Sequence, residues 1–182
     1  QAGLIMNFNI NILSSLLACK ANQHNFHKIW RSISFWDQEN MAEDKDTPGN
    51  ILSVIAEINN AWVRALVAGN TSTPTDTIAI LAKDMTQSVR VAAAKNTATT
   101  AHILTELSNN ETYYVRAAVA ENTSTPDYIL KKLAEDTQDR VRISVACNIS
   151  ATLETLKILF TDGSEYIRNA VKVNPNWDNY ES

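Results

Sequence analysis

The 182-residue chain is 45% hydrophobic and 20% charged, with a net charge of −4, the balance of a soluble globular domain. Divided at Trp62, it carries 4 basic against 6 acidic residues and then 12 against 14, so neither part has the bulk positive charge of a nucleic-acid module. Two cysteines, Cys19 and Cys147, exclude a disulfide scaffold and show no metal-ligand spacing, and no apolar run is long enough to span a membrane.

Residues 1–5 precede the first methionine, Met6, and read as an addition ahead of an initiator. The stretch LLAC at residues 16–19 is similar to a lipoprotein cleavage site, but residues 6–15 contain no Lys or Arg and a secretion signal begins with positive charge. The expected location is therefore cytoplasmic. Phe8, Ile12, Leu13, Leu16 and Leu17 form one helical face over residues 8–18, and Phe26, Ile29, Trp30, Ile33 and either Phe35 or Trp36 form a second over residues 26–36. The polar stretch DQENMAEDKDTPGN then leads onward. Residues 1–46 are predicted to be an N-terminal helical cap over the exposed end of a domain at residues 47–182, with a partner-binding or self-associating arm as the alternative. Cys19, His24 and His27 make at most half a metal site and are read as surface residues.

From residue 47 onward the chain repeats itself. Val63, Val89, Val115, Val141 and Ile167 are spaced by 26 residues, as are Arg64, Arg90, Arg116, Arg142 and Arg168, and Asn70, Asn96, Asn122, Asn148 and Asn174. Each unit opens on a V-R-x-A-V-A run. A second segment comes next, starting at Thr-Pro or its equivalent, with apolar columns at Ile78, Leu104, Leu130, Leu156 and at Leu81, Leu107, Leu133, Leu159. Thr73 and Thr125 are expected to cap the second helix, with Pro74 and Pro126 at its first position. Thr99 with Thr100 serves the next unit, and Ser150 or Thr152 stands in where Ala151 replaces the threonine. The asparagines are expected to end the first, shorter helix in the left-handed conformation that Asn tolerates. The sequons at Asn70, Asn110, Asn122 and Asn148 are by-products of that turn chemistry rather than glycosylation sites. Alanine-rich first helices allow close approach of neighbours, and no unit can bury its apolar stripe alone. The predicted fold is all-α: a right-handed superhelical solenoid of 26-residue two-helix units over residues 47–182, with a half unit, four full units and a terminal half unit.

The pattern V-R-x-x-V-A-x-N, then T-P, then L-x-x-L-A-x-D, over about residues 47–175, resembles the leucine-rich repeat variant family. That resemblance implies an α-helix alternating with a short 3₁₀ helix. The spacing from Asp84 to Arg90, Asp136 to Arg142 and Asp162 to Arg168 is also similar to HEAT repeats, so the short helix can be α or 3₁₀. The family's founding type holds an iron–sulfur cluster on a cysteine-rich N-terminal segment. Only Cys19 is present there, so no cofactor is expected.

Two columns are candidate functional positions. Five arginines in line suggest a phosphate-binding track, but an acid stands six residues before most of them, at Asp84, Asp136 and Asp162, with Asn110 once in its place. A neutralised structural ladder joining the units is the preferred reading. The residue before each Val or Ile reads Trp62, Ser88, Tyr114, Arg140 and Tyr166, with Tyr113 alongside. These residues are expected along one edge; packing of each ring over its neighbour's turn is the preferred reading, and a partner-binding stripe is the candidate functional one. No nucleophile motif or Gly-rich phosphate loop is present, and His102 sits at a surface column, so no catalysis is expected. The expected function is non-catalytic binding of a partner protein by a preformed surface. The alternative is nucleic-acid binding, or base repair like that of HEAT-like alkylpurine glycosylases, if curvature gathers Lys83, Lys95, Lys131 and Lys132.

Overall fold

The structure, a computed structural model, describes residues 33–177. Among these residues it contains eleven helices and no strand. Six begin 26 residues apart: α1 (Phe35–Glu43), α3 (Ala61–Gly69), α5 (Gln87–Lys95), α7 (Tyr113–Glu121), α9 (Asp139–Cys147) and α11 (Glu165–Lys172). Between them lie α2 (Gly49–Ile55), α4 (Thr75–Leu81), α6 (Ala101–Leu107), α8 (Asp127–Leu133) and α10 (Leu153–Phe160). Each odd-numbered helix packs on the next odd-numbered one, from α1 to α11, whereas successive even-numbered helices touch little.

Helices of seven to nine residues are not stable alone in water, so packing must hold them. Val63, Val89, Val115, Val141 and Ile167 are completely buried, and so are Ile78, Leu104, Leu130 and Leu156. Leu81, Leu107, Leu133 and Leu159 join the same continuous core. Burying one such side chain stabilises by about 1.5–3 kcal/mol. Ala68, Ala93, Ala94, Ala118 and Ala120, also fully buried, let the odd-numbered helices approach closely.

Both helices of a unit are α, and the V-R helix is the longer, at nine residues against seven for most of its partners. The expectation of a shorter first helix is corrected. The V-R helix begins two residues before its valine, because the turn ahead of it caps early. Asn60 Oδ1 accepts from the Trp62 and Val63 amides at 3.0 and 3.4 Å, and Asp84 Oδ1 accepts from the Thr86 amide at 2.7 Å. The second helix is cut short by a tight turn, in which the Lys83 and Asp84 amides bond the Ile80 and Leu81 carbonyls at 3.0 and 3.1 Å.

The asparagines end their helices differently from the expectation. No described non-glycine residue has positive φ, and Asn70 is extended at φ −75°, ψ 123°. The helix stops because the side chain reaches into the preceding unit. Asn70 Nδ2 donates to the Ala42 and Asp44 carbonyls, both at 2.9 Å. Asn96 donates to Ala68 and Asn70, Asn122 to Ala94 and Asn96, Asn148 to Ala120 and Asn122, and Asn174 to Ala146 and Asn148, at 2.6–3.0 Å. Each Oδ1 meanwhile accepts the amide two residues on. The asparagines are buried, and in each rung one carbonyl, that of Ala42, Ala68, Ala94, Ala120 or Ala146, gains a donor at its helix end, while the other also accepts a turn amide three residues on.

The threonine caps are also corrected. Thr73, Thr99 and Thr125 stand just outside the second helix and donate to the Val67, Ala93 and Val119 carbonyls, each at 2.6 Å, tying off the preceding helix. Pro74 and Pro126 occupy the cap position itself. Where Ala151 replaces the threonine, Thr152 caps α10 by accepting from the Thr155 amide at 3.4 Å.

At the N-terminal end, the expected helical face through residue 36 is broken: Ser34 caps a new helix, α1, by accepting from the Asp37 amide. This helix occupies part of the polar stretch read as a lead-in. Its Met41 and Ala42 are buried at the slots of Val67 and Ala68, one 26-residue step earlier. The predicted helix over residues 8–18 and most of the second lie outside the described residues. At the other end, Trp177 is buried and stacks on Phe160 with ring centroids 4.6 Å apart.

Candidate functional site

The arginine column is engaged three times with a carboxylate of the following unit. Arg64 Nε and Nη2 donate to Asp84 Oδ2 and Oδ1 at 2.7 and 3.1 Å. Arg116 meets Asp136 at 2.6 and 3.0 Å, and Arg142 meets Asp162 at 2.7 and 3.3 Å. Nη1 of Arg64, Arg90, Arg116, Arg142 and Arg168 bonds the carbonyl six residues back, which pins the turn. Burial pushes the Asp84, Asp136 and Asp162 carboxyls up, but hydrogen bonds from the guanidiniums and turn amides, with the arginine charge, outweigh it and hold them below the ordinary value. The partners' hydrogen bonds raise Arg64, Arg116 and Arg142 against the opposing effect of burial. One rung is incomplete. Asn110 stands opposite Arg90, and the Arg90 Nε is buried without a hydrogen-bond partner.

The other column lies at the N-terminal ends of the odd-numbered helices. Trp62, Tyr114 and Tyr166 are 57%, 52% and 81% exposed. Tyr113 is half-buried and stacks on Tyr114 with centroids 4.1 Å apart. Arg140 is exposed and lies 3.6 Å from Glu121. Trp62 is held by its indole N–H, which donates to Glu39 Oε1 at 2.6 Å. The structure adds a residue that reading from position 47 missed: Trp36, 59% exposed, one step before Trp62 on α1. The 26-residue interval alone would have found it.

The same layer carries two shallow grooves, one near the C-terminal ends of its helices and one running along α9 from Arg140 to Cys147. One, of about 360 Å³, lies between α1 and α3 over Glu43, Lys45, Ala65, Leu66 and Gly69. The other, of about 310 Å³, lies between α7 and α9 over Glu121, Arg140, Ile143, Ser144 and Cys147. Between them, Lys95 on α5 pairs with Glu121 on α7 at 2.9 Å.

The four lysines of the nucleic-acid alternative are divided. Lys83, just past α4, pairs with Glu106 on α6 at 3.2 Å, and Lys131 and Lys132 lie on α8 in the same even-numbered layer, while Lys95 lies on α5 in the other layer, paired with Glu121. Lys132 Nζ bonds Asn109 Oδ1 at 2.6 Å. His102 is exposed on α6, 3.7 Å from Glu106. Among the described residues no helix is long and apolar enough to cross a membrane, and no three His, Cys, Asp or Glu side chains form a metal-sized group. Cys19, His24 and His27 lie outside the described residues. No family model matches the chain, and no curated protein matches it.

Proposed function

We propose that this protein is a non-catalytic, cytoplasmic scaffold that binds a partner protein on the exposed face of its odd-numbered helices. In this reading the chain is a solenoid of 26-residue units like those of the leucine-rich repeat variant and HEAT families. The close packing of the odd-numbered helices, against the looser even-numbered ones, supports a curve with that face on its inside. The observation that carries the reading is the aromatic edge: Trp36, Trp62, Tyr114 and Tyr166 hold more than half of their surface in solvent while the helices beneath them are fixed by buried asparagine rungs. Exposed aromatics on a rigid support bind with little loss of conformational freedom. The arginines act as structural ties, since three are already matched by carboxylates.

The test replaces Trp62, Tyr114 and Tyr166 together by Ala and compares capture of peptides from a displayed library with thermal melting. Loss of capture with an unchanged melting point is expected. Collapse of stability would assign these rings to packing over neighbouring turns instead.

A further inference from the structure

The seam between α1 and α3 differs from the other seams of this face in chemistry. Trp36 and Trp62 stand at equivalent positions on the two helices, and both are exposed. Glu39 lies beside them, bonded to the Trp62 indole, and Glu43 follows one turn along the same stripe of α1. Among the described residues neither carboxylate is in an ion pair, whereas Glu121, at the site equivalent to Glu43 three steps on, faces both Lys95 and Arg140. Residues 36–46 hold five acids and one base. The groove itself is rimmed by Glu43 and by Lys45, its one base, and has an apolar floor made by Ala65, Leu66 and Gly69. Apart from its chain neighbours and its own helix backbone, nothing lies within 4 Å of the place where a Gly69 Cβ would stand, so this groove is open where Lys95, Glu121 and Cys147 occupy the same column in later units.

We infer that this seam is the docking site for a peptide segment that combines a lysine or arginine with an adjacent apolar side chain. The inference rests on the scaffold reading above and gives its partner a chemistry. A cation fits here on two counts: it lies favourably over an indole face, and it meets carboxylates that make no ion pair among the described residues. The apolar side chain enters the notch over Gly69, where it is taken out of water against Leu66 and Ala65. An acidic or phosphorylated segment meets repulsion from Glu39 and Glu43. The remaining seams offer no comparable pairing, because their carboxylate is already neutralised or their notch is filled.

The test is selection of a phage-displayed random dodecapeptide library on the immobilised full chain, followed by binding of the enriched peptide in synthetic form. Enriched peptides are expected to place Lys or Arg within a few residues of Leu, Ile, Met or an aromatic residue. Gly69→Met starts from a Cβ in open space and lays its side chain into the notch, and Glu39→Gln with Glu43→Gln removes the charge. Each is expected to weaken binding by about ten-fold or more. Gly69→Met should melt no lower than the parent, because Gly is the poorest residue short of Pro inside a helix, so its effect cannot be ascribed to unfolding. Enrichment of acidic peptides, or binding indifferent to Gly69→Met, overturns the inference. So does sedimentation of the parent as a dimer that Gly69→Met disperses, since a second copy would then fill the seam. Peptides that ignore Gly69→Met but are lost in Tyr114→Ala with Tyr166→Ala overturn this seam and leave the scaffold reading standing. Failure to enrich any peptide overturns both.

Discussion

Asn110→Asp should make the protein more stable, and the structure says by roughly how much. In three of the units an aspartate accepts two hydrogen bonds from the arginine of the preceding unit, at 2.6–2.7 Å from Nε and 3.0–3.3 Å from Nη2. At the remaining internal position Asn110 presents an amide, and the Arg90 Nε is buried with no acceptor. Asn110 Oδ1 already accepts the Thr112 amide at 3.1 Å, as Asp84, Asp136 and Asp162 accept their own turn amides, so an aspartate needs no new backbone conformation. Supplying the missing acceptor relieves an orphaned charged donor, a gain of about 1–3 kcal/mol, and desolvation of the new carboxylate takes back part of it. A net gain of about 1–2 kcal/mol corresponds to a Tm rise of about 2–8 °C for a chain of this length. Thermal melting by circular dichroism reads the shift, and the double-mutant cycle with Arg90→Met assigns it. The gain should vanish when Arg90 is Met. A neutral or destabilising Asn110→Asp, or a gain that persists without Arg90, would refute the reasoning, the latter pointing to the α7 N-terminus as the beneficiary.

Three further outcomes are expected. The Asp84, Asp136 and Asp162 carboxyls sit below their ordinary value when folded, so their stabilisation is present above the unfolded pKa of about 4 and is lost as pH falls through the folded value. Urea midpoints should be level above about pH 5 and fall below about pH 4, and the triple Asp→Asn variant should show a shallower fall. Gly49→Ala should destabilise by about 1 kcal/mol in urea titration, because the new Cβ would sit 2.9 Å from Pro74 Cγ and 3.2 Å from the Ser72 carbonyl. Gly69→Ala, with open space around it, should instead gain about 0.5–1 kcal/mol in the same assay.

The repeating columns made the burial pattern legible in advance, because one apolar position per step must meet its equivalents on neighbouring units. Val63 through Ile167 and the two leucine columns are buried for that reason. What the columns hid was the reach of the polar side chains. Asn and Thr have several local turn chemistries open to them, and only the packing of a second unit shows that Asn70 donates backwards to Ala42 while Thr73 ties off Val67. The start of α1 was hidden for a different reason. Asp37 and Gln38 stand where later units have Val-Arg, and Asp44 stands where they have Asn, so the three strongest columns fail together. Asp44 has no amide to donate backwards, yet its carbonyl still receives Asn70. The register survived in Trp36, Met41, Ala42, Thr47 and Pro48, each 26 residues before its counterpart. The aromatic edge was legible as a column, but which rings stand in solvent emerged only from coordinates.

Each unit is locked to the one before it by a buried asparagine, and urea unfolding of Asn122→Ala measures this lock directly. The substitution removes the bonds to the Ala94 and Asn96 carbonyls at 2.8 and 2.9 Å and the acceptor of the Ser124 amide at 2.8 Å, and it leaves the Ala94 carbonyl buried while the Asn96 carbonyl keeps the Thr99 amide. A loss of about 2–4 kcal/mol is predicted. Asn109→Ala, at an exposed side chain bonded to the Thr105 carbonyl of α6 and to the Lys132 ammonium at the surface, should cost no more than about 1 kcal/mol. Equal and small losses at the two positions would contradict the account.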